Sequence, residues 1–271
     1  MTKPAAPGPN QMPAAWSAAA AGYAEFVGSW REFAAEAARQ ARLRPADVVL
    51  DVAAGPGTLA LVVAPSVARV VATDFSPGML QELEARAGRA GVRNVETAVM
   101  DAQDLKLEDA SFDAAFCMFG FMFFPDRPKA FRELLRVLKP GGRGVVATWA
   151  PIERRPLMKI GMDAFAEAMP QVPPMAKGDL QTVEECRAEM GAAGFRDVEV
   201  HPFTASYRFE SAASYTDATT RAAAPLVMLR EKLGEPAWAE IEKRVLAIVE
   251  RKIPAGGATL SAEALITVGV R

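Results

Sequence analysis

Asp51, Asp74 and Asp101 each close a short apolar run, and between the first two the chain bends through Ala53-Ala-Gly-Pro-Gly57. A single aspartate after an apolar run is usually a turn or capping residue. Three of them at successive strand ends, facing one edge, are better read as ligand groups, because open α/β sheets bind beyond the carboxyl ends of their strands. Gly55 can take backbone angles closed to residues with a Cβ, and Gly57 is expected to let the chain approach a ligand closely. Asp74 stands where an acidic residue meets ribose hydroxyls. No Gly-Lys-Ser/Thr follows Gly57, so the turn is not a phosphate cradle of the P-loop kind. Gly55-Pro-Gly57-Thr-Leu-Ala60 also fits the loose dinucleotide pattern, which leaves the nucleotide open at this point.

These residues need a scaffold of alternating strands and helices. Strands are expected near Val48–Asp51, Val67–Thr73, Val95–Met100, Phe112–Met118 and Gly144–Trp149, with helices at Thr58–Ala64, Pro77–Ala90 and Lys129–Leu138. Alternation of this kind makes a parallel sheet covered on both faces. Ser76-Pro77 is a good helix start and Thr182-Val-Glu-Glu185 a capping box. Upstream, Trp16, Ala19, Tyr23, Phe26, Trp30, Phe33 and Ala37 form one stripe of a single amphipathic helix. Downstream, prolines flank a helix at Leu157–Met169. A sixth strand follows at Val198–Phe203, then helical stretches at Ala212–Leu233 and Pro236–Ile253, and a last strand at Leu265–Val270. The expected fold is α/β, Rossmann-like and doubly wound, with a mostly parallel seven-stranded sheet and helical lid insertions. Residues 1–13 are expected to be a flexible tail, 14–44 a helical cover, 45–150 the cofactor-binding core, and 151–271 the remaining sheet with a substrate lid.

Five motifs together carry a resemblance. Val49-Leu-Asp-Val-Ala-Ala-Gly-Pro-Gly57, Ala72-Thr-Asp-Phe-Ser-Pro-Gly-Met79, Met100-Asp-Ala-Gln-Asp-Leu105, Ser111-Phe-Asp-Ala-Ala115 and Leu135-Arg-Val-Leu-Lys-Pro-Gly-Gly142 occur in this order. The chain resembles the class I S-adenosylmethionine-dependent methyltransferases, most closely their ubiquinone/menaquinone C-methyltransferase-like branch, over roughly residues 45 to 150. The resemblance implies S-adenosylmethionine as cofactor. It implies that Asp51 orients the methionine amino group, that Ala53 to Gly57 line methionine and ribose, and that Asp74 accepts both ribose hydroxyls. Phe75 and Met79 would press on adenine, and Asp101 with the Ala102 N–H would meet its polar edge. Ala53 and Ala54 stand where the family often has glycine. Cys117 would flank the transferable methyl group. Phe119 and Phe121 would wall an apolar acceptor pocket, and Tyr23 would cover the site from the N-terminal helix. His201, the only histidine, is a candidate general base.

Composition narrows the partners. A net charge of −2 gives no basic surface for nucleic acid, and the basic pair Arg154-Arg155 reads as solvated or substrate-rim charge. Cys117 and Cys186 lack metal-ligand spacing, so no metal is expected, and two isolated cysteines suit a reducing cytoplasm. No apolar run reaches the ~20 residues that span a bilayer. The expected partner is a small hydrophobic or aromatic substrate, methylated at carbon, oxygen or nitrogen. Two other readings stay open: an NAD(P)-dependent oxidoreductase using the same turn, and a non-catalytic relative that keeps the cofactor fold.

Overall fold

The computed structural model describes residues 12–28, 30–171, 180–222 and 224–271. All but the last two residues of the expected tail lie outside these, as do Pro173 and Pro174. The strands are β1 (Val48–Val52), β2 (Arg69–Asp74), β3 (Val95–Val99), β4 (Phe112–Met118), β5 (Leu138–Trp149), β6 (Arg196–Phe209) and β7 (Ala258–Val270). They form one sheet in the order β3-β2-β1-β4-β5-β7-β6. β1 to β5 run parallel, and β7 is antiparallel to both its neighbours. The strand order reverses between β1 and β4, the switch point at which open α/β sheets bind ligands.

The helices are α1 (Pro13–Gly28), α2 (Arg31–Ala41), α3 (Thr58–Val63), α4 (Pro77–Arg89), α5 (Arg127–Val137), α6 (Pro156–Ala168), α7 (Val183–Ala192), α8 (Ala212–Ala222), α9 (Ala224–Leu233) and α10 (Glu235–Glu250). Alternation along each strand divides the core. On β4, Ala114 and Phe116 join one face, packed by α2, α3, α4, α6 and α10, while Ala115 and Cys117 join the other, packed by α5 and α7. Both predicted caps form: Ser76 Oγ accepts from Met79 N, and Thr182 and Glu185 close a reciprocal box. Among the described residues no helix is long and apolar enough to cross a membrane.

The structure departs from the sequence reading in three places. The single N-terminal helix is two, α1 and α2, with a turn at Trp30 whose N–H donates to Val27 O at 2.9 Å. The turn lets the indole pack edge-on against Phe119 and Trp149, at 5.3 and 4.9 Å between centroids. β5 begins at Leu138, so Lys139-Pro-Gly-Gly142 lies within a strand with a register shift against β4. β6 and β7 extend well past their apolar segments, because each continues to pair with the other from Glu199↔Val268 to Phe209↔Ala258.

Candidate active site at the switch point

The turn after β1 is braced from several sides. Ala54 N donates to Thr73 O at 2.9 Å and Gly57 N to Ala54 O at 3.0 Å, while Arg86 of α4 reaches Pro56 O at 2.7 Å. Ala53 (φ 53°), Gly55 (φ 54°) and Gly57 (φ 80°) are all left-handed. That conformation costs an alanine about 1–2 kcal/mol. That strain is the cost of an alanine where a glycine would adopt the same angles freely.

Gly57 has a different role from the expected one. A Cβ there would lie 2.0 Å from Leu83 Cδ1. Its bare Cα lets α4 pack behind the turn, and it does not line the cavity in front. Gly55 does face the site, and a Cβ there would sit 3.8 Å from Tyr23 Cε1.

Two carboxylates meet above this turn. Asp74 is buried, and its Oδ2 accepts from Gly55 N and its Oδ1 from Ser76 N, both at 2.9 Å. Burial pushes its pKa up to about 6 against those bonds. Asp51 is 1% exposed; Oδ2 accepts from Ala60 N at 3.1 Å, and Oδ1 has no partner among the described residues. Desolvation, with a smaller contribution from the charge of Asp74, raises Asp51 to about 8. Asp101 stands apart from this pair. It is exposed at the rim, where its Oδ1 accepts from Gln103 N at 2.9 Å.

Asp51, Ala53 and Gly55 share a cavity of about 50 Å³ with Tyr23, Trp30, Met118 and Phe119. Phe119 (φ 60°) is a second left-handed non-glycine residue at a strand end lining it. Such strain in a bulky residue persists only where packing over-determines it. Here the ring stacks on Trp149 at 4.0 Å and meets Phe33 at 5.6 Å. Burial, then the charge of Asp74, raises the Tyr23 phenol above its ordinary pKa.

The remaining predicted residues disperse. Phe121 turns to the opposite face, packs on Phe131 at 4.0 Å, and shares a tight seam with Ala102, so it fills core and does not wall the cavity. Cys117 is fully buried on that same face, its thiol pushed up by burial and by Asp51, and Met118 takes the cavity side instead. Met79 is buried at the first turn of α4, and Phe75 is half-buried beside Asp74. His201 lies on the edge strand β6, three strands from β4, with Nε2 3.3 Å from Glu199. The basic pair divides: Arg154 bridges to Glu263 at 2.7 Å, while Arg155 is buried against Trp149. Trp149 was missed in the sequence, although its position at the end of β5 marks the ligand edge.

Helix α1 roofs the turn. Ser17 Oγ lies 2.8 Å from Ser76 Oγ and accepts from Gly78 N at 3.2 Å.

A family model described as a methyltransferase domain matches residues 49–142. A demethylmenaquinone methyltransferase from Clavibacter sepedonicus is 44% identical over 123 residues, 45% of this chain and 48% of that one. One of the same name from Thermus thermophilus is 35% identical over 163 residues, 54% of this chain and 73% of that one. The chain belongs to the class I S-adenosylmethionine-dependent methyltransferases. It spans about half the length of several methyltransferases it matches. The Bacillus subtilis YcgJ protein shares the fold, with a TM-score of 0.59 at 18% identity over 88% of this chain and 97% of that one.

Proposed function

We propose that the protein transfers a methyl group from S-adenosylmethionine to a small apolar or aromatic acceptor. The observation that carries this reading is the Asp51–Asp74 pair, buried at adjacent strand tips around the left-handed turn, with Asp51 lining an aromatic-walled cavity. The donor set fits the cofactor. Asp51 keeps one buried oxygen free for an ammonium group, and the Asp74 oxygens retain lone pairs beyond those given to Gly55 and Ser76. In this reading Asp101, one strand further out, receives the adenine amino group, and Phe75 on the intervening strand end packs on the ring. When bound, the cofactor supplies a methyl group activated by the sulfonium for in-line displacement.

The chain's own part is to bind, orient and exclude water. Trp30, Met118 and Phe119 give the cavity an apolar wall, which suits an apolar acceptor. Among the described residues, Asp51 and Tyr23 are the ionisable side chains lining it. In this reading Asp51 is engaged by the cofactor's ammonium group and Tyr23 keeps its phenolic proton, so positioning of the nucleophile carries the rate. At about 50 Å³ the cavity is far below the ~300–1,000 Å³ of ligand pockets. In this reading entry proceeds by displacement of α1, whose Tyr23 and Val27 line the cavity.

The test has two stages. S-adenosylhomocysteine should raise the melting temperature where NAD does not; stabilisation by NAD alone would favour an oxidoreductase. Tritium should then pass from labelled S-adenosylmethionine to a reduced demethylated naphthoquinone, the acceptor suggested by the names of the relatives. Cofactor binding without transfer to any apolar acceptor would instead favour a non-catalytic relative.

A further inference from the structure

Arg155 is a buried cation without an ion-pair partner among the described residues. It is 8% exposed, and among the described residues no carboxylate lies within ion-pair distance of it; Glu153 acts only through its charge, and Glu263 pairs with Arg154. Its Nε is buried without a partner, and Nη1 has only the thioether of Met158, at 3.4 Å. The guanidinium carbon lies 6.0 Å from the centre of the Trp149 ring. A guanidinium carries five fixed donors and is matched to planar oxyanions. Burying one unpaired is costly, and burial pulls its pKa down to about 10, so it stays charged at neutral pH.

Its neighbours say where the missing anion belongs. Trp149 stacks on Phe119 at 4.0 Å and meets Trp30 at 4.9 Å, and both of these rings line the cavity beside Asp51. Arg155 thus stands one aromatic ring behind the proposed acceptor space, at the same carboxyl edge of the sheet. Asp51 lines that space and Arg155 stands behind Trp149, so charges of opposite sign flank the aromatic wall.

We propose that Arg155 determines acceptor specificity by receiving an anionic oxygen carried on an aromatic ring, either a phenolate or a carboxylate. This deepens the methyltransferase reading and rests on it. An anion held there would lie over the aromatic shelf of Trp149 and Phe119, with its charge away from Asp51.

The experiment measures tryptophan-fluorescence quenching by 2-naphthoate, its methyl ester and 2-naphthol, with S-adenosylhomocysteine present. Wild-type protein should prefer 2-naphthoate over the ester by about 10- to 150-fold, as a charge-assisted bond implies. Tighter binding of 2-naphthol once it ionises, with no preference between naphthoate and ester, would assign the site to phenolates. Arg155→Met should remove the preference by weakening the anion alone, and Arg155→Lys should keep part of it. Arg154→Met, which changes charge next door, should leave it intact. Arg155→Met should also raise the melting temperature of the unliganded protein, since it deletes an unpaired buried charge; a purely structural arginine would lower it. Equal binding of all three probes, binding of none, or full preference in Arg155→Met would overturn the proposal. Failure of S-adenosylhomocysteine itself to bind would instead sink the cofactor reading.

Discussion

The carboxylate of Asp74 reaches back from the tip of β2 to accept the Gly55 N–H at 2.9 Å, so one side chain both shapes the turn and offers itself to a ligand. Replacing it loses a charge-assisted acceptor worth about 1.5–3 kcal/mol. Asp74→Ala should weaken S-adenosylhomocysteine binding by roughly 10- to 150-fold in titration calorimetry. Unchanged affinity would refute the ribose assignment.

Asp51 and Asp74 also set a pH dependence. Burial raises them to about 8 and about 6, so the folded chain holds protons that the unfolded chain releases near pH 4. Their stabilising contribution is complete below that unfolded value and is lost as pH rises through 6 and then 8. The unliganded melting temperature should therefore drift down across this range, and Asp51→Asn should flatten its upper part. Affinity for the cationic cofactor should move the opposite way, rising as the carboxylates ionise. A melting temperature that climbs toward pH 8 through these two groups would contradict the assignment.

Gly57→Ala should be costly for two separable reasons. The added methyl collides with Leu83, and the left-handed φ of 80° strains any alanine. Overpacking and strain together suggest about 2–5 kcal/mol in urea denaturation. In Gly57→Ala/Leu83→Ala the collision disappears, so the combined loss should fall short of the sum of the single losses. Strict additivity would mean that Leu83 is not what the glycine makes room for.

Gly78→Ala probes the roof. A Cβ at that position would lie 2.7 Å from Ser17 Cα and Cβ, which pries α1 from α4. Stopped-flow fluorescence should then show faster association of S-adenosylhomocysteine, with Ser17→Ala changing it in the same direction through loss of the Ser76 contact. An unaltered association rate in both variants would remove α1 as the gate.

Much of this was legible because it is local. Strand tips and caps are written in short apolar runs and in Ser76-Pro77 or Thr182–Glu185, and the glycine turn in Gly55 and Gly57. What escaped depends on packing between distant segments. Phe119 and Phe121 are two residues apart with the same chemistry, yet the positive φ at Phe119 and the turn beyond it send them to opposite faces. Trp30 keeps perfect helical spacing with Tyr23 and Phe33, so no periodicity marks the turn that its ring requires. Gly57 looked like a ligand residue because its true neighbour, Leu83, is 26 positions away. Arg155 looked solvated because adjacent arginines in a sequence do not disclose that only one has a carboxylate within reach.

Gly22 of α1 lies against the backbone of Arg221 in α8, so close that a Cβ would sit 2.5 Å from the Arg221 carbonyl oxygen. The same helix touches Ser76 and Gly78 at its other end. Any displacement of α1 is therefore felt by α8 as well, so a change at the Gly22–Arg221 contact should alter access to the cavity from outside it. Two seams at opposite ends of one helix thus hold the roof, and loosening either one loosens both.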